Sequence, residues 1–294
     1  KTPDWSQSPA LDADVFASAI AYDALNRHTS VTSPDGSVIV PTYNAAAQLE
    51  TVSARVRGAA DATAFVADID YNEKNQRTQI VYGAASAPAA TTVYGYDPLT
   101  FRLATLTTTR SVAPPLQRLQ YTYVPVGNIV QIADAVQQPV FYAGAVVDGT
   151  ALYTYESIYR LSTAQGREHA AGLAGPRTDV DLPIAPLPHP NDGNALIPYL
   201  ETYQYDAVGN LLSLAHGPPG SGSAPAWTSP MRYVAGTNRL DQTMVQGDQA
   251  DQPGHGRDTY DANGNMTSMP HLASIGWDWK DHMKTADKGG GGVV

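Results

Sequence analysis

Asp68-x-Asp70-x-Asn72 places hard oxygen ligands at alternate positions, in the order that opens a calcium loop. The glycine that such a loop needs at its sixth place is Glu73, and Gln79 rather than an acid stands at its twelfth. Glu168-His169 is the densest ionisable pair, an acid beside a base. Neighbouring side chains on a strand leave opposite faces, which works against joint action at one centre. His282 with Asp278 and Asp281 supplies imidazole and carboxylate donors, without three ligands at a known spacing. Neither a phosphate-cradling glycine loop nor a nucleophile elbow occurs. These residues therefore assign no catalytic, cofactor-binding or metal-binding position, no cofactor is expected, and the chain reads as a non-enzyme.

Another chemical pairing is far more frequent. A tyrosine, then an acid or amide, then a turn-forming stretch and an apolar or arginine residue six places on, recurs along the whole chain. Full copies are YDALNRH (Tyr22, Asp23), YDAVGNL (Tyr205, Asp206) and YDANGNM (Tyr260, Asp261). Looser copies begin at Tyr43 with Asn44, Tyr71 with Asn72, Tyr96 with Asp97, Tyr123 with Val124, Tyr155 with Glu156, and Tyr233 with Val234. Successive starts lie 21, 28, 25, 27, 32, 50, 28 and 27 residues apart. Tyrosine and carboxylate could serve sugars or acid/base chemistry. A catalytic pair is needed once per site, however, whereas a packing device recurs with every structural unit. The pairs read as a repeat signature.

Each unit must position its tyrosine on a strand. Tyr, Thr, Val and Ile at alternate places before the acid suit a pleated strand with one covered face. Gly209-Asn210, Gly264-Asn265, Gly127-Asn128 and Pro34-Asp35-Gly36 then supply tight turns, and alternation resumes in Leu212-Ser213-Leu214 or Leu103 to Thr107. The unit is strand, turn, strand. The ring would pack across strands with its hydroxyl reaching backbone at the sheet edge, and the Asp would cap the turn.

Hairpins of this kind predict a lead-in over 1–20 anchored by Trp5 and Phe16. A repeat sheet follows over 21–169, then a Pro/Gly/Ala-rich inserted loop over 170–198, a second repeat stretch over 199–288, and a flexible glycine-rich end over 289–294. A further loop is expected from His216 to Pro225, its Gly220-Ser221-Gly222-Ser223 stretch reading as a linker. The ends of the sequence read as those of a piece of a longer polypeptide.

Composition agrees with an all-β protein. Tyr numbers 17 against 4 Phe, and no helical periodicity is sustained. A net charge of −10 without a basic cluster argues against nucleic acid and against an anionic membrane surface. No apolar run is long enough to span a bilayer, so no direct membrane insertion is expected. The absence of cysteine excludes disulfides and thiolate metal sites, leaving the compartment open.

The hairpins resemble the rearrangement-hotspot (RHS), or YD-repeat, family. DALNRHTSVTSPDG, DYNEKNQRTQIVYG, YDPLTFRLATLTTTR, YTYESIYRLSTAQGREH, ETYQYDAVGNLL and MPHLASIGWDWKDHM are similar to the RHS region of insecticidal toxin-complex proteins of the B/C-component, SpvB-containing kind. The resemblance implies hairpins joined edge to edge in a long curved antiparallel sheet that spirals into a hollow shell around a toxic C-terminal polypeptide. Its partners would be the rest of the polypeptide or a complementary shell component, the enclosed toxin, and a pore-forming translocation subunit. Secretion or a cell-surface location is implied as well. Members release cargo by self-cleavage at an Asp-Pro-x-Gly-Leu motif. Asp97-Pro98-Leu99-Thr100 is the nearest string and departs from it, so no protease is assigned. Val124 and Glu156 replace the family's Asp, and their turns should be capped differently. Read from residues alone, a glycan-binding adhesion module and a filament-forming repeat protein stay open beside the shell.

Overall fold

The computed structural model describes residues 16–84, 87–110, 114–170, 192–220, 224–244, 258–269 and 272–287. Among them the chain is nearly all β. The strands are β1 (Ala19–Tyr22), β2 (His28–Thr32), β3 (Val38–Tyr43), β4 (Leu49–Arg55), β5 (Thr63–Tyr71), β6 (Arg77–Ala84), β7 (Ala87–Tyr96), β8 (Leu103–Thr109), β9 (Gln117–Tyr123), β10 (Ile129–Asp134) and β11 (Val140–Tyr142). They continue as β12 (Ala145–Val147), β13 (Ala151–Tyr155), β14 (Leu161–His169), β15 (Leu196–Tyr205), β16 (Leu211–Gly217), β17 (Trp227–Tyr233), β18 (Leu240–Thr243), β19 (Thr259–Tyr260), β20 (Met266–Ser268), β21 (Ser274–Trp277) and β22 (Met283–Asp287). Sixteen of them form one sheet in chain order, β1 to β10 and then β13 to β18. Pairs β11–β12, β19–β20 and β21–β22 stand as separate two-stranded sheets.

Two units divide the chain, Lys1–Gln120 and Tyr121–Val294. In each, a strand ends on the repeat tyrosine and pairs antiparallel with the strand after the turn. Tyr43 lies opposite Leu49 and Tyr71 opposite Arg77 in the first unit. Tyr155 faces Leu161 and Tyr205 faces Leu211 in the second. The six-residue sequence offset is thus a cross-strand pair. Tyr96 and Tyr233 pair one residue later, with Leu103 and Leu240, because their turns carry an extra residue. The spacing of 32 between Tyr123 and Tyr155 accommodates the small hairpin β11–β12.

Among the described residues few side chains are buried. They include Ala54, Ile69 and Ile80 in the first unit and Ala164, Trp227 and Ile275 in the second. Apolar strand residues such as Ile39, Phe65, Val93, Leu152 and Leu212 stay exposed.

Several expected boundaries move. Phe16 is 75% exposed rather than packed as an anchor, and Ile20 and Tyr22 of β1, the first described strand, are exposed as well. β1 starts at Ala19, inside the expected lead-in, and β15 starts at Leu196, inside the expected inserted loop. His216 and Gly217 belong to strand β16 rather than to a loop, because pairing with β15 continues to Gly217. Trp5, residues 171–191, 221–223 and 289–294 lie outside the described residues.

Candidate functional site

The repeated turn is built by one residue at positive φ. It stands four places after the aromatic, as Asn26, Ala47, Asn75, Gly127, Tyr159, Gly209, Gly264 and Asp281. At Tyr22, Tyr43, Tyr71, Tyr155, Tyr205, Tyr260 and Trp277 the register breaks at the aromatic, the arrangement of a turn followed by a bulge. Backbone closes it: Asp206 N–H donates to Asn210 O at 2.9 Å and Gly209 N–H to Asp206 O at 3.2 Å. Asp206 Oδ1 accepts from the N–H groups of Val208, Gly209 and Asn210 at 2.8–3.0 Å. Asp23, Asn44, Asn72, Asp97 and Asp261 cap their turns in the same way. Hydrogen bonds from the Arg27 and Ser37 backbones hold Asp23 and Asp35 below the usual carboxylate range. Burial raises Asp206 and Asp261, yet the hydrogen bonds they accept outweigh it and leave both lowered.

The tyrosine hydroxyls join one hairpin to the one before it. Tyr43 donates to His28 O, Tyr71 to Leu49 O and Tyr96 to Arg77 O, at 3.1, 2.8 and 2.8 Å. Tyr155 donates to Ile129 O, Tyr233 to Leu211 O and Tyr260 to Leu240 O, at 2.7, 3.0 and 2.7 Å. Each acceptor belongs to the start of the preceding unit's return strand. Burial pushes the Tyr155, Tyr233 and Tyr260 phenols up, keeping them as donors. Tyr22, on the first strand, is half exposed with its ring edge-on to His28, and the Tyr123 ring stacks on Tyr121. Tyr205 lies beneath the Arg160 guanidinium at 4.7 Å.

A second linking row comes from the residue five places after the aromatic. Arg160 pairs with its own turn's Glu156 at 2.7 Å and donates to Asp206 O of the next turn at 2.8 Å. Gln48 reaches Asn75, Gln76 reaches Phe101 O, and Asn210 reaches Asn238. Arg27 stacks over Tyr43. This row escaped the sequence reading, although Arg, Gln or Asn at that offset is its visible signal. Trp277 also went unrecognised as a further copy. Its indole N–H donates to Met266 O at 2.7 Å, it pairs with Met283, and Asp278 Oδ1 caps the turn by accepting from Lys280 and His282.

The other chemistry-bearing residues disperse into these roles. Asp70 pairs across strands with Gln79 while Asn72 caps its turn, so the suspected calcium string is divided. Asp97 accepts from the Leu99 and Thr100 backbones and from the Thr100 hydroxyl. Glu168 and His169 are neighbours on β14 with different partners, His169 Nε2 lying 3.3 Å from Asp192 O; Glu168 turns elsewhere. It meets His216, whose Nε2 lies 2.6 Å from Glu168 Oε1 and whose Nδ1 lies 3.3 Å from Glu201 Oε1. Tyr203 donates to the other Glu201 oxygen at 2.6 Å. The imidazole, 3% exposed, is stacked between Tyr199 and Trp227, with ring centroids at 5.2 and 4.8 Å.

The chain is 29% identical over 199 residues to the toxin subunit YenC2 of Yersinia entomophaga, and 29% over 211 residues to YenC1 of the same organism. Those matches cover 66% and 70% of this chain. The chain is similar to both toxin subunits over about two thirds of its length. It spans only 20% of the length of each of these relatives. The TcdB2-TccC3 crystal structure shares its fold at a TM-score of 0.67, with 25% identity, over 95% of this chain and 13% of that one. A structure of the Photorhabdus luminescens Tc holotoxin pore matches at 0.65, with 25% identity, over 92% and 12%. No family model matches the sequence. The likeness to toxin-complex proteins is the one that the repeat strings led us to expect.

Proposed function

We propose that this chain is a non-enzymatic wall segment of a secreted toxin-complex shell, enclosing a toxic C-terminal polypeptide before delivery. The observation that carries the reading is the extent of the fold match: at least nine-tenths of the chain superposes on about one-eighth of toxin-complex structures. A sheet of consecutive hairpins in chain order fits that role. Apolar strand residues such as Ile39, Phe65, Val93, Leu152 and Leu212 are uncovered, and its hairpins are tied to one another by Tyr hydroxyls and by the Arg, Gln and Asn row. A continuous strip leaves only terminal strands unpaired, which limits edge association. The partners would be the remainder of the same polypeptide, a complementary shell component, the enclosed toxin and a pore-forming translocation subunit. Containment, with hydrophobic contact and hydrogen bonding rather than covalent chemistry, is the mechanism.

Protease protection of the intact full-length polypeptide tests this. The C-terminal portion should resist digestion in the native particle and become cleavable when the wall is opened by paired Tyr155→Ala and Tyr233→Ala changes. A C-terminal portion equally cleavable in both would overturn the reading.

A further inference from the structure

The buried imidazole of His216 has more hydrogen-bond partners than a neutral ring can serve. A neutral imidazole has one N–H and one bare nitrogen, whereas here both nitrogens face carboxylate oxygens. A bare nitrogen at either position would set a lone pair against an anionic oxygen. The Tyr203 phenol donates to Glu201, and burial, reinforced by that hydrogen bond, holds it far above the ordinary tyrosine range. Glu201 is thereby marked as an acceptor. Above and below the ring, Tyr199 and Trp227 offer aromatic faces at interplanar angles of 23° and 9°, surroundings that favour a cation. Gly166 makes the stack possible, because a Cβ there would lie 2.9 Å from the Tyr199 hydroxyl oxygen.

We propose that His216 is a proton-held clasp: an imidazolium that ties Glu168 of β14 and Glu201 of β15 to β16 and releases one of them on losing a proton. Among the described residues, the titratable and charged groups facing the ring are Glu168 from β14 and Glu201 and Tyr199 from β15, with Tyr203 behind Glu201. β17 presents the neutral Trp227. The clasp crosses three strands within the second unit. It is held by protonation and released as pH rises, the opposite sense to the turn aspartates, whose caps are lost as pH falls.

Nitrogen-15 NMR of the intact chain with labelled histidine tests it, using exposed His28 as an internal reference. The expected result is that His216 retains two ring protons at the pH where His28 is half titrated, and that Glu168→Gln lowers the pH at which the second is lost. Melting of the wild type should fall as pH rises through that titration. His216→Phe, which keeps a flat ring between Tyr199 and Trp227, should remove the fall. A neutral single-tautomer His216 ring at or below the His28 midpoint would overturn the clasp, and needs no variant to be seen.

Discussion

The turns after Tyr123 and Tyr205 share a backbone and differ in the two residues after the tyrosine, Val124-Pro125 against Asp206-Ala207. Val124 N–H donates to Asn128 O at 2.9 Å and Gly127 N–H to Val124 O at 2.9 Å, matching the Asp206–Asn210 turn bond for bond. Gly127 and Gly209 both take positive φ, 111° and 101°. Asp206 then adds three backbone caps and receives the Asn210 amide at 2.8 Å. Val124 has no carboxylate, and the buried Asn128 Nδ2 is left without a hydrogen-bond partner. The glycine conformation and strand pairing therefore set the turn, while the acid completes its polar satisfaction. That separates what the repeat needs from what it tolerates.

The strongest break should come from the rings that link onto these two hairpins. Tyr155→Ala, which removes the tie to the Val124 hairpin, and Tyr233→Ala, which removes the tie to the Asp206 hairpin, should each destabilise by about 2–3 kcal/mol in chemical denaturation. Tyr155→Phe and Tyr233→Phe isolate the hydroxyls and should cost about 1 kcal/mol each. Equal stability of the Phe variants and wild type would place the ties in packing alone. Converting the poorer turn into the better one is a gain: Val124→Asp should stabilise by roughly 1 kcal/mol by receiving the Asn128 amide.

Acid should distinguish the two turns more subtly. The Asp206 carboxyl is lowered in the folded chain, so its contribution is present above the unfolded value of about 3.9 and is lost as pH falls through the lower folded value. Asp206→Asn should keep the turn, as Asn44 and Asn72 do, and remove this part of the acid sensitivity. A pH profile of melting compares the two. Changing Val124 to Ala should leave that profile unaltered.

Much of this architecture could be read from residue types at fixed offsets. Tyr43 with Leu49 or Tyr205 with Leu211 are local, six places apart, and hairpin physics makes such pairs meet. Trp277 falls outside a tyrosine signature, yet its indole N–H reaches the carbonyl that a phenol reaches in the other copies. The inserted hairpin β11–β12 was hidden in a spacing of 32 that a longer turn would equally explain. Nothing local brings His216 to Glu168, 48 residues away. That contact depends on β14, β15 and β16 being neighbours and in register, which only the folded sheet specifies. Composition drew His216 toward the Gly/Pro-rich stretch that follows, while tertiary pairing kept it on a strand.

Electron cryomicroscopy of the native particle, formed by the untruncated polypeptide that contains this segment, tests the central claim most directly. The account predicts a hollow particle with this hairpin sheet in its wall and additional density inside. A solid domain with the sheet folded onto its own core, or a filament of repeating copies, would contradict it.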